Sequence, residues 1–297
     1  METKIQEKIK YERMKDKKIS VIVPVYKAEK FIAKNLEEMK KSVAKVFPNN
    51  EIIVVIDGQL DNSFIEAMKV SGIKVVGYDE NKGKGYALKY GFEHSTGDYV
   101  TFIDCDLDIH PDQLRNFVPY MATADLVIGS KRHPFSKLHY PFSRKILSWG
   151  FLVYSWLILG VKLRDTQSGL KLIKREVLEI IMPLVLVKRY GFDLELCFLA
   201  QKHGFRAVEA PLHIDFKVFD GKSTTIRFKD IIGMFLDVLA IRYRYSFLNY
   251  YQRAFHKNMG WKNGDDYSDI ELIEIKDKNK PSTEKKKFSL NLFNFLG

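Results

Sequence analysis

Short apolar runs alternate with stretches of helical periodicity through the first hundred residues of the chain. The apolar runs are residues 20–26, 51–56, 73–76 and 99–103, and helical patterns follow the first three of them. The runs are rich in β-branched residues and too continuously apolar for a sheet with one solvated face. The alternation therefore predicts an α/β domain built on a mostly parallel sheet flanked by helices.

The fourth apolar run ends in two carboxylates, Asp104 and Asp106, which are separated by Cys105. If the strand continues through them, both carboxylates point to the same side, as side chains two positions apart do in a strand. Two close carboxylates repel each other unless a cation lies between them, and Mg²⁺ and Mn²⁺ prefer oxygen ligands. The pattern fits a metal site that binds substrate phosphates, and it equally fits a solvated acidic turn.

Polar residues also follow the other runs at the point where each predicted strand ends. Tyr26 follows the first run, Asp57 the second, and the loop at residues 81–85 the third. Because ligands of open α/β sheets bind at the carboxyl ends of the strands, this convergence favours the metal site. The Gly83-Lys84-Gly85 segment would either bind a phosphate through backbone N–H groups or simply start a helix.

Two later segments are candidates for a membrane surface. Residues 146–161 carry no charge, and as a helix they would span about 24 Å, short of a hydrocarbon core of about 30 Å. They predict a buried or an interfacial helix behind a basic loop that either contacts an anionic phosphate or stays solvated. Residues 228–255 mix apolar positions with arginines and aromatics, which predicts a membrane-facing helix or one packed on the main domain.

Composition narrows the class of partner. The 297 residues are 46% hydrophobic with a formal net charge of +11, which indicates a globular protein with an anionic partner: nucleic acid, a lipid surface or a phosphorylated substrate. Its two cysteines, Cys105 and Cys197, make no disulfide framework and fit a reducing compartment. The first 18 residues are charged throughout and lack the apolar core of a signal peptide.

These features predict four parts of the chain. Residues 1–18 form a charged arm, and residues 19–227 form the α/β domain, which includes a candidate interfacial helix at 144–162. Residues 228–256 form an amphipathic C-terminal helix. Residues 257–297 form a basic tail that we expect to be flexible and able to assist attachment to an anionic leaflet.

The order of motifs along residues 19–253 resembles the family 2 glycosyltransferases with a GT-A fold, and more narrowly the polyprenyl-phosphate glycosyltransferases. That group includes dolichyl-phosphate mannose and dolichyl-phosphate glucose synthases. The motifs are Val21-Ile-Val-Pro-Val-Tyr26 with Glu29, Val55-Ile-Asp-Gly58, Asn81-Lys-Gly-Lys-Gly85, Asp104-Cys-Asp106, Gly129-Ser-Lys-Arg132, Ser143-Arg-Lys145, Asp165-Thr-Gln-Ser-Gly169, Phe192-Asp-Leu-Glu195 and Gly221-Lys-Ser223. Each motif is weak by itself, but their shared order is specific.

The resemblance implies a role for each matching residue. The nucleotide would contact Pro24, Val25, Tyr26, Glu29, Asp57, Lys84, Gly85, Asp104 and Cys105. A divalent metal, Mg²⁺ or Mn²⁺, would bind Asp104, Asp106 and Asp108. The acceptor phosphate would contact Lys131, Arg132, Arg144, Lys217, Lys222 and Ser223. Catalysis would rest on Asp104, Asp106, Arg132, Arg144 and Lys217.

Three positions depart from the family pattern. Ile56-Asp57 stands where two aspartates are usual, so base recognition is left open. Lys217 stands where arginine is common, which exchanges a bidentate fork for a point charge. Ser223-Thr224 replaces a Ser-Lys pair, although the neighbouring Lys222 would compensate for the lost charge.

The resemblance implies transfer of a hexose, glucose or mannose, from a UDP- or GDP-sugar to a dolichyl or undecaprenyl phosphate. The anomeric carbon would be inverted in one displacement. A phosphate monoester is already anionic near neutral pH, so its attack would need positioning more than a general base. We expect the enzyme at the cytoplasmic face of a membrane that it does not span.

Two other functions stay open on the sequence. A family 2 transferase that glycosylates a sugar hydroxyl would need a carboxylate base, for which Asp193 and Glu195 are candidates. A basic nucleic-acid-binding protein is the other, but no known binding motif is present, and the acidic segment 104–108 would repel phosphates without a metal. We therefore expect a nucleotide sugar, a polyprenyl phosphate and a membrane surface as partners, and no nucleic acid.

Overall fold

The structure, a computed structural model, describes residues 16–138, 142–214 and 228–258. The side chains of residues 138, 142–146, 214 and 228–229 are not among those described. The chain divides into two compact units, residues 1–255 and 256–297. Only residues 256–258 of the second unit are described, and the main sheet belongs entirely to the first unit. The four-part division predicted from the sequence stays a prediction.

Seven strands form the main sheet of the described chain. They are β1 (Ile19–Val25), β2 (Asn50–Asp57), β3 (Lys74–Tyr78), β4 (Tyr99–Phe102), β5 (Leu126–Ser130), β7 (Lys171–Lys174) and β8 (Ala207–Pro211). Their order is β3-β2-β1-β4-β7-β5-β8, and of these seven only β7 is antiparallel to its neighbours. Two short strands, β6 (Lys137–Leu138) and β9 (His213–Ile214), pair separately. The predicted mostly parallel α/β sheet is confirmed.

Helices cover both faces of this sheet. They are α1 (Ile32–Val46), α2 (Ser63–Met68), α3 (Lys84–Glu93), α4 (Val118–Met121), α5 (Phe142–Leu159), α6 (Arg175–Ile181), α7 (Phe192–Lys202), α8 (Phe228–Ser246) and α9 (Tyr250–Asn258), with a 3-10 helix at Pro111–Asn116. Successive residues of β1 pack into different clusters: Val21 and Val23 contact the side that carries α1, whereas Ile22 contacts the side that carries α3 and α7. Both faces of β1 are therefore buried, which explains its continuous apolar run.

The strand register brings the loops that follow the parallel strands to one edge of the sheet, hereafter the carboxyl edge. Ile22 of β1 pairs with Phe102 of β4, which pairs in turn with Lys171 of β7. Because β7 is antiparallel, the residues just before it, and not those after it, lie at the carboxyl edge. Val25 pairs with Ile56, so the ends of β1 and β2 lie side by side there as well.

The long helical pattern predicted for residues 228–255 is interrupted in the structure. Helix α8 ends at Ser246 and α9 begins at Tyr250. Asn249, between them, has a φ of 47°. This left-handed conformation breaks a right-handed helix, and asparagine tolerates it better than most residues do. Aromatic periodicity continues across the break, which is why the sequence predicts a single helix.

Helices α5 and α8 pack against each other through aromatic side chains. The ring of Phe235 lies 5.6 Å from that of Phe151 and 4.8 Å from that of Tyr154. Among the described residues, no helix combines the length and the apolarity needed to cross a membrane. Helix α8 thus packs on the main domain, while other apolar residues of both helices are exposed.

Candidate active site

Asp104 and Asp106, hereafter the acidic pair, lie in a turn beyond β4 and not on the strand itself. The strand ends two residues before Asp104, and the carbonyl of Asp104 accepts a hydrogen bond from the N–H of Leu107 at 3.3 Å. Leu107 is left-handed, with a φ of 59°. From α1, the Asn35 side-chain amide donates to the carbonyl of Cys105 at 2.9 Å. A fixed turn, and not strand alternation, therefore positions the two carboxylates.

A lysine contacts the acidic pair directly. The Nζ atom of Lys84, at the start of α3, lies 2.6 Å from Oδ1 of Asp104. Burial acts to raise the pKa of Asp104, but Lys84, with help from Lys171 and Lys131, holds that pKa below its ordinary value. Asp104 is therefore ionised at neutral pH and oriented from the side of α3.

The pKa of Asp106 is shifted in the opposite direction to that of Asp104. Burial first, and then the negative charges of Asp104 and Asp108, raise the pKa of Asp106 to about 6. Within the described residues, no three His, Cys, Asp or Glu side chains are grouped closely enough to hold a metal ion. The acidic pair offers two hard oxygen ligands whose mutual repulsion a divalent cation would relieve, with further ligands supplied by substrate phosphates or water.

A second, buried ion pair lies close to the acidic pair. Lys171 of β7 is fully buried, and its Nζ atom lies 2.7 Å from Oδ1 of Asp193 and also donates to the carbonyl of Ser168. Gly169 packs directly on the acidic pair, because a Cβ atom there would lie 2.1 Å from Oδ2 of Asp104. No side chain fits at position 169 without displacing that carboxylate.

Asp57 organises the loop before α3. Its carboxylate is buried and accepts hydrogen bonds from the side chain of Asn81 at 3.0 Å and from the N–H groups of Lys82 at 2.7 Å and Gly83 at 3.0 Å. The N–H of Gly85 donates to the Lys188 carbonyl at 2.8 Å. Since these loop N–H groups bind protein acceptors, the loop starts a helix, and what it presents to the acidic pair is the side chain of Lys84.

The end of β1 carries the remaining residues predicted to contact a nucleotide. Tyr26 is 49% exposed, and Val25 is buried in the core. Pro24 is half-buried in the strand. The Glu29 carboxylate accepts a hydrogen bond from the N–H of Asn62 at 3.0 Å, which ties the loop after β1 to the start of α2. The structure therefore brings Tyr26, Asp57 and the acidic pair to one edge, as the sequence predicts.

The basic loop after β5 joins the site to α5. The N–H of Lys131 donates to the buried carboxylate of Asp165 at 2.9 Å. The guanidinium of Arg132 donates to the carbonyl of Arg164 and, at 2.8 Å, to the hydroxyl of Ser148 on α5. Arg132 thus has a definite structural role, which leaves its predicted contact with an acceptor phosphate a prediction.

Several predicted site residues have no described side chain. Lys217, Lys222 and Ser223 lie outside the described residues, and only the backbone of Arg144, within α5, is described. No site role was predicted for Lys171, nor for Gly169, which is known from the sequence only as the end of the Asp165-Thr-Gln-Ser-Gly169 motif. A lysine between apolar residues in a strand normally indicates a solvated face, and nothing local pairs it with an aspartate 22 residues later.

An α/β sheet with carboxylates and lysines converging at its carboxyl edge is typical of enzymes that bind a phosphorylated nucleotide. A family model described as Glycosyl transferase family 2 matches residues 20–181, more than half of the chain. The chain belongs to glycosyl transferase family 2, and it is a glycosyltransferase. The resemblance found in the motifs is confirmed.

The relatives include lipid-phosphate glycosyltransferases. A dolichyl-phosphate beta-glucosyltransferase from Dictyostelium discoideum is 30% identical over 246 residues, which are 76% of this chain and 74% of that protein. An undecaprenyl-phosphate mannosyltransferase from Micrococcus luteus is 28% identical over 204 residues, which are 66% of this chain and 82% of that protein. The chain is homologous to both.

Solved structures share the fold. Glucosyl-3-phosphoglycerate synthase from Mycobacterium tuberculosis, in complex with Mn²⁺, uridine diphosphate and phosphoglyceric acid, matches with a TM-score of 0.59 at 22% identity. The match covers 78% of this chain and 80% of that chain. At this level of identity the likeness shows the fold, and the predicted GT-A-type architecture is confirmed.

Proposed function

We propose that the protein transfers a hexose from a nucleotide sugar to a polyprenyl phosphate at a membrane surface, inverting the anomeric carbon in one displacement. The observation that carries this proposal is the location of the acidic pair, which lies at the carboxyl edge against Lys84. The relatives named for dolichyl and undecaprenyl phosphate support this acceptor class. A structural neighbour in complex with uridine diphosphate and Mn²⁺ supports a nucleoside diphosphate and a divalent cation, Mg²⁺ or Mn²⁺.

The residues of the site have different roles in this reaction. When bound to the acidic pair, a divalent cation would stabilise the charge that develops on the departing nucleoside diphosphate. The described residues do not bring Asp108, the predicted third ligand, close enough to the pair to form a three-carboxylate group. Lys84 holds Asp104 in place at 2.6 Å and adds positive charge where the diphosphate would lie. Tyr26 is exposed beside this edge and available to a nucleotide base. The predicted contacts of the acceptor phosphate are Lys131, Arg132, Arg144, Lys217, Lys222 and Ser223.

The carboxylates considered as a general base are both engaged elsewhere. Asp193 forms an ion pair with the buried Lys171 at 2.7 Å. The fully buried carboxylate of Glu195 accepts hydrogen bonds from the N–H groups of Leu186 and Val187 and from the hydroxyl of Tyr251. Neither carboxylate is arranged to take a proton from a sugar hydroxyl. This arrangement favours an acceptor that is already anionic, such as a phosphate monoester.

The exposed faces of α5 and α8 support a membrane surface as a partner. Ile232, Leu236, Leu239 and Tyr243 are each at least 45% exposed, and their spacing places them in one stripe along α8. Helix α5 exposes Trp149, Trp156 and Leu157. Such a combination of tryptophan and aliphatic side chains suits the boundary between headgroups and acyl chains. In this proposal the enzyme is peripheral and lies at the cytoplasmic face.

Replacing Leu236 by glutamate is expected to weaken binding to lipid vesicles about tenfold. This factor follows because burying a leucine side chain contributes about 1.5–3 kcal/mol and a factor of ten corresponds to about 1.4 kcal/mol. Vesicles of phosphatidylcholine with an anionic phospholipid, assayed by co-sedimentation, measure the effect. Ile65→Glu is the matched control, since Ile65 is 58% exposed on α2. Equal binding by both variants would argue against these helices as the membrane surface.

A matrix of donors and acceptors tests the activity itself. GDP-mannose, UDP-glucose and UDP-GlcNAc are each combined with dolichyl and undecaprenyl phosphate, and each mixture receives Mg²⁺ or Mn²⁺. We expect turnover of a hexose donor with a lipid phosphate, and none with a metal chelator present. Turnover with no combination would overturn the proposal, and transfer to glycan hydroxyls in its place would establish the alternative acceptor.

A further inference from the structure

Glu195 links three segments of the chain that are far apart in sequence. One of its carboxylate oxygens accepts hydrogen bonds from the N–H groups of Leu186 and Val187, at 2.8 and 2.7 Å. The other accepts one from the hydroxyl of Tyr251 in α9 at 2.5 Å and lies 3.5 Å from the guanidinium of Arg244 in α8. The side chain has no exposed surface, so its place is fixed by these contacts.

The loop that Glu195 holds, residues 182–190, also supports the start of α3. The carbonyl of Lys188 accepts hydrogen bonds from the N–H groups of Gly85 at 2.8 Å and Tyr86 at 3.3 Å. A Cβ atom at Gly83 would lie only 2.5 Å from that carbonyl oxygen, so the two backbones are in close contact. Lys84 lies between these anchored residues, and its ammonium group contacts Asp104.

Packing between this loop and helix α8 is not continuous. A cavity of about 220 Å³ separates them, lined among others by Lys188, Tyr190, Met234 and Asp237. Polar contacts around this cavity join its two sides. One set of these contacts converges on Glu195 and comes from Arg244 of α8 and Tyr251 of α9. A second contact joins the backbone N–H of Gly191, directly after the loop, to the carboxylate of Asp237 on α8.

We infer that Glu195 is a positioning residue of the transfer reaction. It couples the packing of α8 and α9 to the position of Lys84 against Asp104. The inference rests on the proposed function, because it assigns Lys84 to the donor diphosphate. Glu195 contacts no reacting group itself. It acts through the 182–190 loop. Binding of α8, which carries the exposed apolar stripe, to a lipid surface would therefore strengthen donor binding. Donor binding would in turn strengthen binding to the lipid surface by the same factor.

Tyr251→Phe tests this coupling with little change in volume, because it removes only the hydroxyl that donates to Glu195. Tyr250→Phe is the matched control, since Tyr250 is the adjacent tyrosine and its ring packs on that of Tyr251 at 5.7 Å. Residue-resolved hydrogen exchange compares the amides of Leu186, Val187, Gly85 and Tyr86 with those of β1. Calorimetry then measures the affinity of each variant for UDP and for GDP in the presence of Mn²⁺.

In Tyr251→Phe we expect exchange at the four amides to accelerate at least about fivefold while β1 is unchanged, because the buried carboxylate of Glu195 loses its hydroxyl donor, which loosens the loop. The affinity for the nucleotide that binds wild-type protein should fall at least about threefold. Tyr250→Phe should leave both quantities unchanged. Unaltered exchange at Gly85 and Tyr86, or an equal effect in both variants, would overturn the coupling. Failure of wild-type protein to bind either nucleotide would overturn the proposed function, and the exchange results would then decide the coupling by themselves.

Discussion

Asp106→Asn is expected to lower the rate of sugar transfer at least about a hundredfold while it raises the stability of the metal-free protein. Asparagine keeps the shape of the side chain but removes a negative charge, and the charge that a bound metal stabilises in the transition state is worth several kcal/mol. Burial and the charges of Asp104 and Asp108 raise the pKa of Asp106 to about 6, so the ionised carboxylate destabilises the folded protein at neutral pH. Removing it should increase the free energy of unfolding by about 1 kcal/mol, after allowance for partial exposure.

The pH dependence of metal binding provides a readout that is independent of activity. Wild-type protein with UDP should lose Mn²⁺ affinity as the pH falls through about 6, because protons then compete for Asp106. The asparagine variant should bind Mn²⁺ weakly at every pH. Asp98→Asn is the control, since Asp98 lies at the opposite end of β4, where it accepts a hydrogen bond from the N–H of Lys18. Near-full transfer by Asp106→Asn would rule out the acidic pair as the metal site.

The sequence predicts those parts of the site whose signals are local. Each parallel strand is a short apolar run, and the residue that follows it must lie at the carboxyl edge. The location of Asp57 and Asp104 at this edge is therefore predictable from the sequence alone. Their contacts are not predictable in the same way: Asp57 binds a loop 24 to 26 residues later, and Asp104 lies in a turn that strand alternation does not describe.

The sequence does not reveal the role of residues whose partners lie far away along the chain. Lys171 interrupts an apolar strand, and only the fold shows that Asp193 neutralises it in a fully buried place. The same holds for Glu195, which the pattern suggests as a general base but which binds Leu186 and Tyr251. A free carboxylate near a site can act as a general base, whereas a carboxylate whose oxygens accept hydrogen bonds from buried donors has a structural role.

Gly169→Ala is expected to reduce sugar transfer by about a hundredfold. The added Cβ would lie 2.1 Å from Oδ2 of Asp104, whose other oxygen is held by Lys84 at 2.6 Å. The 168–170 backbone is also fixed, because the Ser168 carbonyl accepts a hydrogen bond from Lys171 and the Leu170 carbonyl accepts one from a backbone N–H of β5 at 3.0 Å. The carboxylate must therefore move by about 1 Å, a displacement that costs about a hundredfold in well-positioned sites. Steady-state transfer and Mn²⁺ affinity with UDP measure the effect.

Gly150→Ala separates this steric effect from a general effect of replacing glycine. Gly150 lies within α5, and apart from its chain neighbours and the backbone of its own helix, no atom of the described residues lies within 4 Å of a Cβ placed there. Because alanine is favoured over glycine in helices by about 1 kcal/mol, the control should be slightly more stable than wild type, with unchanged transfer. Gly169→Ala should lose about 1–3 kcal/mol of stability through overpacking, yet remain folded by circular dichroism. If the folded Gly169→Ala variant keeps wild-type transfer, the position of Asp104 does not limit the reaction, and the proposed role of Lys84 in holding it is wrong.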